Sequence, residues 1–128
     1  MPKASKESAS EHQSFKGYDF EHFDTGGWTV AFESYDDDAD LAPLFEGLPD
    51  DRCQCIHMGY VLRGKIGFRS ESGEELFEAG DAYYVGPGHT PIHYGGTEVV
   101  EFSPTKDLIQ AIEVVAIKKG AAEARTSG

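Results

Sequence analysis

Two cysteines and a histidine alternate with other residues in the segment Cys53-Gln54-Cys55-Ile56-His57. In an extended strand, side chains two residues apart lie on the same face, so this spacing would place two thiols and an imidazole on one face. Thiolates and imidazoles are ligands that suit zinc, iron or copper better than magnesium or calcium. The segment therefore predicts a site for a divalent transition metal, with these three elements left open.

The rise of a strand limits which of these residues can share one ion. Residues two apart are separated by about 6.5–7 Å, whereas residues four apart, such as Cys53 and His57, are separated by about 13 Å on a straight strand. We therefore expect Cys55 to share an ion with His57, and Cys53 to join them only if the strand bends or bulges. A disulfide between the cysteines would lie at the edge of its permitted geometry, so both are interpreted as reduced thiols. The alternative is that both are small, buried apolar residues.

Short β-rich segments separated by turns surround this cluster. Because turn residues punctuate stretches rich in β-branched and aromatic residues, strands are predicted at 28–32, 53–69 (one strand or two), 76–77, 82–85 and 99–102. Ser103-Pro104, followed by apolar residues at helical spacing up to Gly120, predicts a short C-terminal helix that covers one side of the sheets. The pattern is that of an all-β barrel or sandwich with one helix.

Two stretches of the chain resemble the paired motifs of the cupin family. The stretch at 57–64, His-Met-Gly-Tyr-Val-Leu-Arg-Gly, is similar to the end of the first motif, and 79–91, which contains Gly80-Asp81 and Pro87-Gly88, is similar to the second. The resemblance covers about residues 50–103. It implies a double-stranded β-helix, which is a jelly-roll barrel with its site inside.

The residues at the family's usual ligand positions differ from the three histidines and one glutamate expected there. They are Asp51, Cys53, His57 and Pro91 in this chain. A slip of two residues keeps every side chain on its face; it moves the first-motif pair to Cys53 and Cys55 and the second-motif histidine to His93. The resemblance therefore implies Cys55, His57 and His93 as ligands, with Cys53 as a conditional fourth.

Other side chains of the implied barrel are candidates for acid–base work. Tyr60 and Tyr84 are expected to bring hydroxyls into the cavity, and Glu98 is expected to face inward as a carboxyl group. The two tyrosines could instead be ordinary core residues. His89 directly follows Pro87-Gly88 and is interpreted as a residue at the mouth of the cavity.

Composition limits the partners and the organisation of the chain. The formal net charge of −12 argues against nucleic acid and against an anionic membrane surface, and no apolar run approaches the roughly 20 residues of a membrane span. Residues 1–14 are interpreted as a disordered tail, 15–120 as one cupin domain and 121–128 as a C-terminal tail. The absence of a secretory signal and the reduced thiols favour a cytoplasmic location.

Three functions remain open at this point. The first is a metal-dependent oxygenase, isomerase or lyase that acts on a small organic molecule in the barrel. The second is a metal-free, non-enzymatic module that binds a small ligand or senses redox state through Cys53 and Cys55. The third is a metal-free enzyme that uses histidine and tyrosine. The resemblance also implies a homodimer, which would protect sheet edges that are otherwise left unpaired.

Overall fold

The strands of this protein form two antiparallel sheets that face each other. The computed structural model describes residues 3–7, 11–15, 18–111 and 113–114. Its strands are β1 Glu11–Phe15, β2 Tyr18–Thr25, β3 Trp28–Tyr35, β4 Ala39–Asp40, β5 His57–Arg63, β6 Lys65–Ser70, β7 Gly73–Glu78, β8 Ala82–Val85, β9 His89–His93 and β10 Thr97–Pro104. The larger sheet has the order β1-β2-β3-β10-β5-β8, and the smaller has the order β4-β9-β6-β7.

Short glycine turns set the register of the hairpins. Gly26 and Gly27 connect β2 to β3, with Thr25 paired to Trp28. Both glycines have positive φ, at 59° and 82°, which is the conformation that a two-residue hairpin turn requires for strands with a right-handed twist. The predicted strand at 28–32 is therefore part of β3, which this turn joins to β2.

Strict alternation along the strands of the larger sheet separates its two faces. In β5, His57, Gly59 and Val61 are buried, while the residues between them are exposed. In β10 the buried set is Thr97, Val99, Glu101 and Ser103, and in β3 it is Thr29, Ala31, Glu33 and Tyr35. Because opposite residues of paired strands share a face, these side chains form one wall of the interior. Several of them are polar, which is unusual for residues this buried.

Two apolar clusters hold the sheets together. The first fills the space between the sheets and consists of Tyr35, Val61, Ile66, Phe68, Tyr83, Val85 and Val99. The second closes one end and consists of Leu41, Phe45, Leu48, Cys53, Cys55, Leu108 and Ala111. Leu108 and Ala111 belong to the C-terminal helix at 105–111 and 113–114, so the predicted helix is confirmed over the described residues.

The predicted domain boundaries at 14/15 and 120/121 stay predictions. Residues 11–14, which were assigned to the N-terminal tail, lie in β1. The predicted end of the helix near Gly120 and the tail at 121–128 lie outside the described residues. The described part of the chain holds no helix with the length and apolar character needed to cross a bilayer.

Candidate functional site

Cys53 and His89 are held next to each other by their own backbones. The amide of Cys53 donates to the carbonyl of His89 at 2.8 Å, and the amide of His89 donates back at 3.2 Å. This isolated antiparallel bridge joins the segment before β5 to the first residue of β9. Both side chains are buried, with 3% and 2% of their surface exposed.

His57 approaches Cys53 because the chain does not continue as a strand between them. Residues 54–56 have no regular structure, and β5 begins only at His57. The Sγ atom of Cys53 therefore lies 3.7 Å from His57 Nε2, although the two residues would be about 13 Å apart on a straight strand. The bend on which a role for Cys53 depended is present.

The other ring nitrogen of each histidine has a fixed neighbour. His57 Nδ1 lies 2.6 Å from Ser103 Oγ, and His89 Nδ1 donates to the carbonyl of Gly86 at 2.7 Å. The carbonyl can only accept, so Nδ1 of His89 carries the proton, whereas Ser103 Oγ can donate or accept and holds the orientation of the His57 ring. These contacts leave Nε2 of each ring as the atom that can accept a metal ion.

These three residues could together hold a transition-metal ion. One ligand atom each from Cys53, His57 and His89 lies within 4.8 Å of the other two. For a tetrahedral zinc, bond lengths near 2.3 Å to sulfur and 2.0 Å to nitrogen place the ligand atoms about 3.5 Å apart. The Cys53–His57 separation of 3.7 Å is already close to that value. Three protein ligands would leave a position open, as in catalytic sites.

Burial keeps the three groups neutral in the metal-free protein. Desolvation raises the pKa of the Cys53 thiol to about 11. Desolvation also lowers the pKa of His57 and of His89 to about 4, with His57 adding to the effect on His89. A neutral imidazole is the form of histidine that binds metals.

A buried network of carboxyl and phenol groups lies behind His57. Glu101 Oε2 is 4.0 Å from His57 Nδ1, and Glu101 Oε1 accepts a hydrogen bond from Tyr83 at 2.6 Å. Glu101 is also hydrogen-bonded to Glu33. Desolvation raises the pKa of both carboxyl groups, and the neighbouring Glu101 raises that of Glu33 further. Two carboxyl groups in contact and out of water retain a proton between them.

A cavity of about 250 Å³ opens beside the site. Its walls include the aromatic rings of Phe68 and Phe77 and the polar side chains of Ser70, Glu75 and His89. His89 therefore belongs both to the cavity and to the cysteine–histidine cluster. A molecule in this cavity would lie next to the residues that could hold a metal.

The structure brings together only some of the residues expected from the sequence. Cys53 and His57 lie in the cluster with His89. Cys55 is buried in the apolar cluster beside the C-terminal helix, and burial raises the pKa of its thiol to about 12. His93 lies inside the barrel as expected, but its ring stacks on Tyr35 with centroids 3.6 Å apart. Neither Cys55 nor His93 is in the cluster of ligand atoms.

The expected acid–base residues are placed differently from the prediction. Tyr60 lies on the outer face of β5, with 43% of its surface exposed, because it is an odd number of positions from His57 in a pattern with a period of two. Glu98 lies on the outer face of β10 and pairs with Arg63 at 3.4 Å. Tyr84 is 61% exposed and lines the rim of the cavity. The carboxyl group that faces inward on β10 is that of Glu101.

The sequence matches no protein-family model and no curated protein, but its fold matches solved structures. A Rhizobium leguminosarum protein of unknown function aligns with a TM-score of 0.59 and 16% identity, over 80% of this chain and 95% of that one. An RmlC-like cupin from Shewanella frigidimarina aligns with 0.56 and 15%, over 79% and 88%. Streptomyces PAC13, solved with uridine, aligns with 0.57 and 19%, over 82% of each chain. At these identities the likeness concerns the fold.

Proposed function

We propose that this chain, whose fold is that of the small cupins, binds a divalent transition metal through Cys53, His57 and His89. With this metal, the chain acts on a small organic molecule in the adjoining cavity. The observation that carries the proposal is the convergence of one ligand atom from each of the three residues within 4.8 Å. Zinc, iron and copper all suit a set of one thiolate and two imidazoles. Cys55 and His93, which the sequence pattern favoured as ligands, have no place in this set.

A bound metal would supply Lewis-acid polarisation of an oxygen on the molecule in the cavity. The chain's own residues would orient the ligands and exclude water. Ser103 orients the ring of His57 from behind, and the carbonyl of Gly86 orients that of His89. Apolar cluster residues around Cys53 exclude water from the thiol side, so the open side of the site faces the cavity.

Cobalt binding by paired cysteine variants tests this proposal. The chain is purified under reducing conditions without a metal-affinity column, and Co²⁺ is titrated in while the thiolate-to-cobalt absorption band is recorded. We expect one equivalent to bind, the band to be lost in Cys53→Ala, and the band to be kept in the matched control Cys55→Ala. Absence of any band, or loss in Cys55→Ala with retention in Cys53→Ala, would contradict the assignment. The second result would favour the ligand set drawn from the sequence.

Burial of both thiols disfavours the redox-sensing alternative. Sensor cysteines are exposed and have a low pKa, whereas Cys53 and Cys55 are 3% and 1% exposed and burial raises the pKa of both. We expect labelling of either thiol by iodoacetamide to be slow at pH 7 in the native, metal-free protein. Rapid labelling would restore the alternative.

We also propose that the chain pairs with a second copy through the outer face of the larger sheet. Tyr84, Met58, Phe102 and Val30 lie opposite one another on four adjacent strands, and the first three are 61%, 42% and 40% exposed. At about 4.8 Å between strands, this apolar row is about 15 Å wide. A contiguous exposed apolar surface on a sheet is typical of an interaction site, and a twofold axis through it would bury both copies of the same row.

A further inference from the structure

Glu75 places a carboxylate on the interior side of the smaller sheet. It lies directly opposite Phe68 in the β6–β7 pairing, and opposite residues in paired strands share a face. Phe68 is buried and packs in the core between the sheets. The side chain of Glu75 is exposed to solvent, and Glu75 is one of the residues that line the cavity, so its carboxylate lies at the open side of this space.

The charge of Glu75 is not balanced at the cavity. None of the described residues that line the cavity is a lysine or an arginine. Within the same part of the chain, Glu75 forms no ion pair. The neighbouring Glu74 differs, because it faces the other side of β7 and pairs with Arg69 at 3.6 Å. An anion that entered the cavity would meet a carboxylate within a chain of net charge −12.

The size of the cavity and its walls describe the body of the molecule that fits. Its volume of about 250 Å³ is small for a ligand site. The rings of Phe68 and Phe77, with centroids 6.2 Å apart, give it an aromatic wall. This combination favours a single ring or a flat group of similar size.

The sheet order fixes the distance between the two polar ends of the cavity. Glu75 on β7 and His89 on β9 lie on either side of β6, opposite Phe68 and Ser70 respectively. Two strand spacings across the sheet and two residues along β6 correspond to about 12 Å between their backbones. Ser70, opposite His89 in the β6–β9 pairing, lines the same space. A one-ring molecule whose donor group contacts Glu75 would direct its far end toward His89.

We infer that the cavity selects a small, flat molecule that carries an amine or another hydrogen-bond donor at one end, and that it discriminates against carboxylates and phosphates. The inference rests on the proposed function in that His89 is shared between the cavity and the metal site. Glu75 acts here as the specificity-determining residue.

Three probes of matched size test the inference: benzylamine, benzyl alcohol and benzoate. Their dissociation constants are measured on the full-length, metal-free chain by NMR titration, and the shifted amides locate the binding site. We expect benzylamine to bind about three- to tenfold more tightly than benzoate at low salt, with shifts at Phe68 and Gly73, and the difference to shrink as salt is added. Glu75→Gln should remove the difference and leave benzyl alcohol binding unchanged. Glu74→Gln, which removes the same charge from the other face of β7, should preserve the difference in affinity between benzylamine and benzoate.

Each other outcome overturns the inference. The inference fails if benzylamine and benzoate bind equally, or if Glu74→Gln loses the preference as Glu75→Gln does. It also fails if the shifted amides lie away from the cavity, or if no probe binds at 20 mM. The cobalt titration is performed on the same protein and reports separately on the proposed function. If cobalt binds and the preference is absent, only the cavity assignment fails; if the preference depends on Glu75 and cobalt does not bind, only the metal assignment fails.

Discussion

Replacement of Gly59 by alanine tests how the interior of the larger sheet is packed. A Cβ atom built at this position would lie 2.5 Å from Tyr83 Oη and 2.8 Å from Tyr83 Cε1, which is closer than unbonded atoms can approach. The ring of Tyr83 is 6% exposed and packs against Phe68 and Phe77. The new methyl group cannot occupy the same space as the ring, so Gly59→Ala must displace the ring or the strand.

The expected cost combines two effects. Overpacking of a filled core costs about 1–3 kcal/mol. Moving Tyr83 also breaks its 2.6 Å hydrogen bond to Glu101, and leaving a buried polar group without its partner costs about 1–3 kcal/mol. We therefore expect Gly59→Ala to lower the free energy of unfolding by about 2–5 kcal/mol, measured by urea denaturation at pH 7.

Two further variants show whether the tyrosine is the cause. Tyr83→Leu removes the atoms that the new methyl group would meet, so in that background Gly59→Ala should cost at least about 1 kcal/mol less, a coupling typical of residues in contact. Gly67→Ala is the matched control, because its Cβ would lie 3.5 Å from Ile92 Cβ, an ordinary contact, and we expect a change within about 1 kcal/mol. A Gly59→Ala cost below about 1 kcal/mol, or strictly additive costs with Tyr83→Leu, would refute the reasoning.

Three more variants address charge, assembly and ligand orientation. Burial raises the pKa of Glu33, so its contribution to stability is complete below the unfolded pKa of about 4.3 and is lost as the pH rises. In urea denaturation, Glu33→Gln should therefore be more stable than wild type at pH 8, by about 1.4 kcal/mol for each unit by which the folded pKa is raised, and equal to wild type near pH 4. A difference that does not depend on pH would contradict this. Met58→Glu, on the apolar outer face, should convert a dimer into a monomer in sedimentation equilibrium, and Leu76→Glu, equally exposed on the smaller sheet, should not; a wild-type chain that is monomeric at 100 µM would exclude the pairing. Ser103→Ala should weaken cobalt binding about 10- to 100-fold because it releases His57 Nδ1, and unchanged affinity would show that the serine does not orient the ring.

The fold could be read from the sequence because its signals are local and repeated. Stretches rich in β-branched and aromatic residues predict short strands, and the glycine turns, Gly80-Asp81 and Pro87-Gly88 predict where those strands end. The period of two along any strand separates inner from outer residues, and it places Tyr60 and His57 on opposite faces of β5. The prediction of an inward Tyr60 therefore failed on a rule that the sequence itself supplies.

The sequence predicted Cys53 and His57 of the candidate site but did not predict His89 as a ligand. The alternation of Cys53, Cys55 and His57 assumed one continuous strand, but the chain is irregular at 54–56, which redirects Cys53 and leaves Cys55 against the C-terminal helix. His89 was placed at the mouth of the cavity because it follows a Pro-Gly turn, and a local pattern carries no information on its backbone bridge to Cys53. The position of His89 immediately after this turn was the one available signal.

The bridge between Cys53 and His89 also bears on when the candidate site forms during folding. These two residues are far apart in the sequence and are joined by an isolated bridge. We expect this bridge to close after the hairpins between them, because it encloses strands β5 to β8. Closing such a long loop is slow compared with forming a hairpin. Cobalt added during refolding would therefore report the closing of the barrel: its absorption band should develop after the hairpins form, together with the burial of the core.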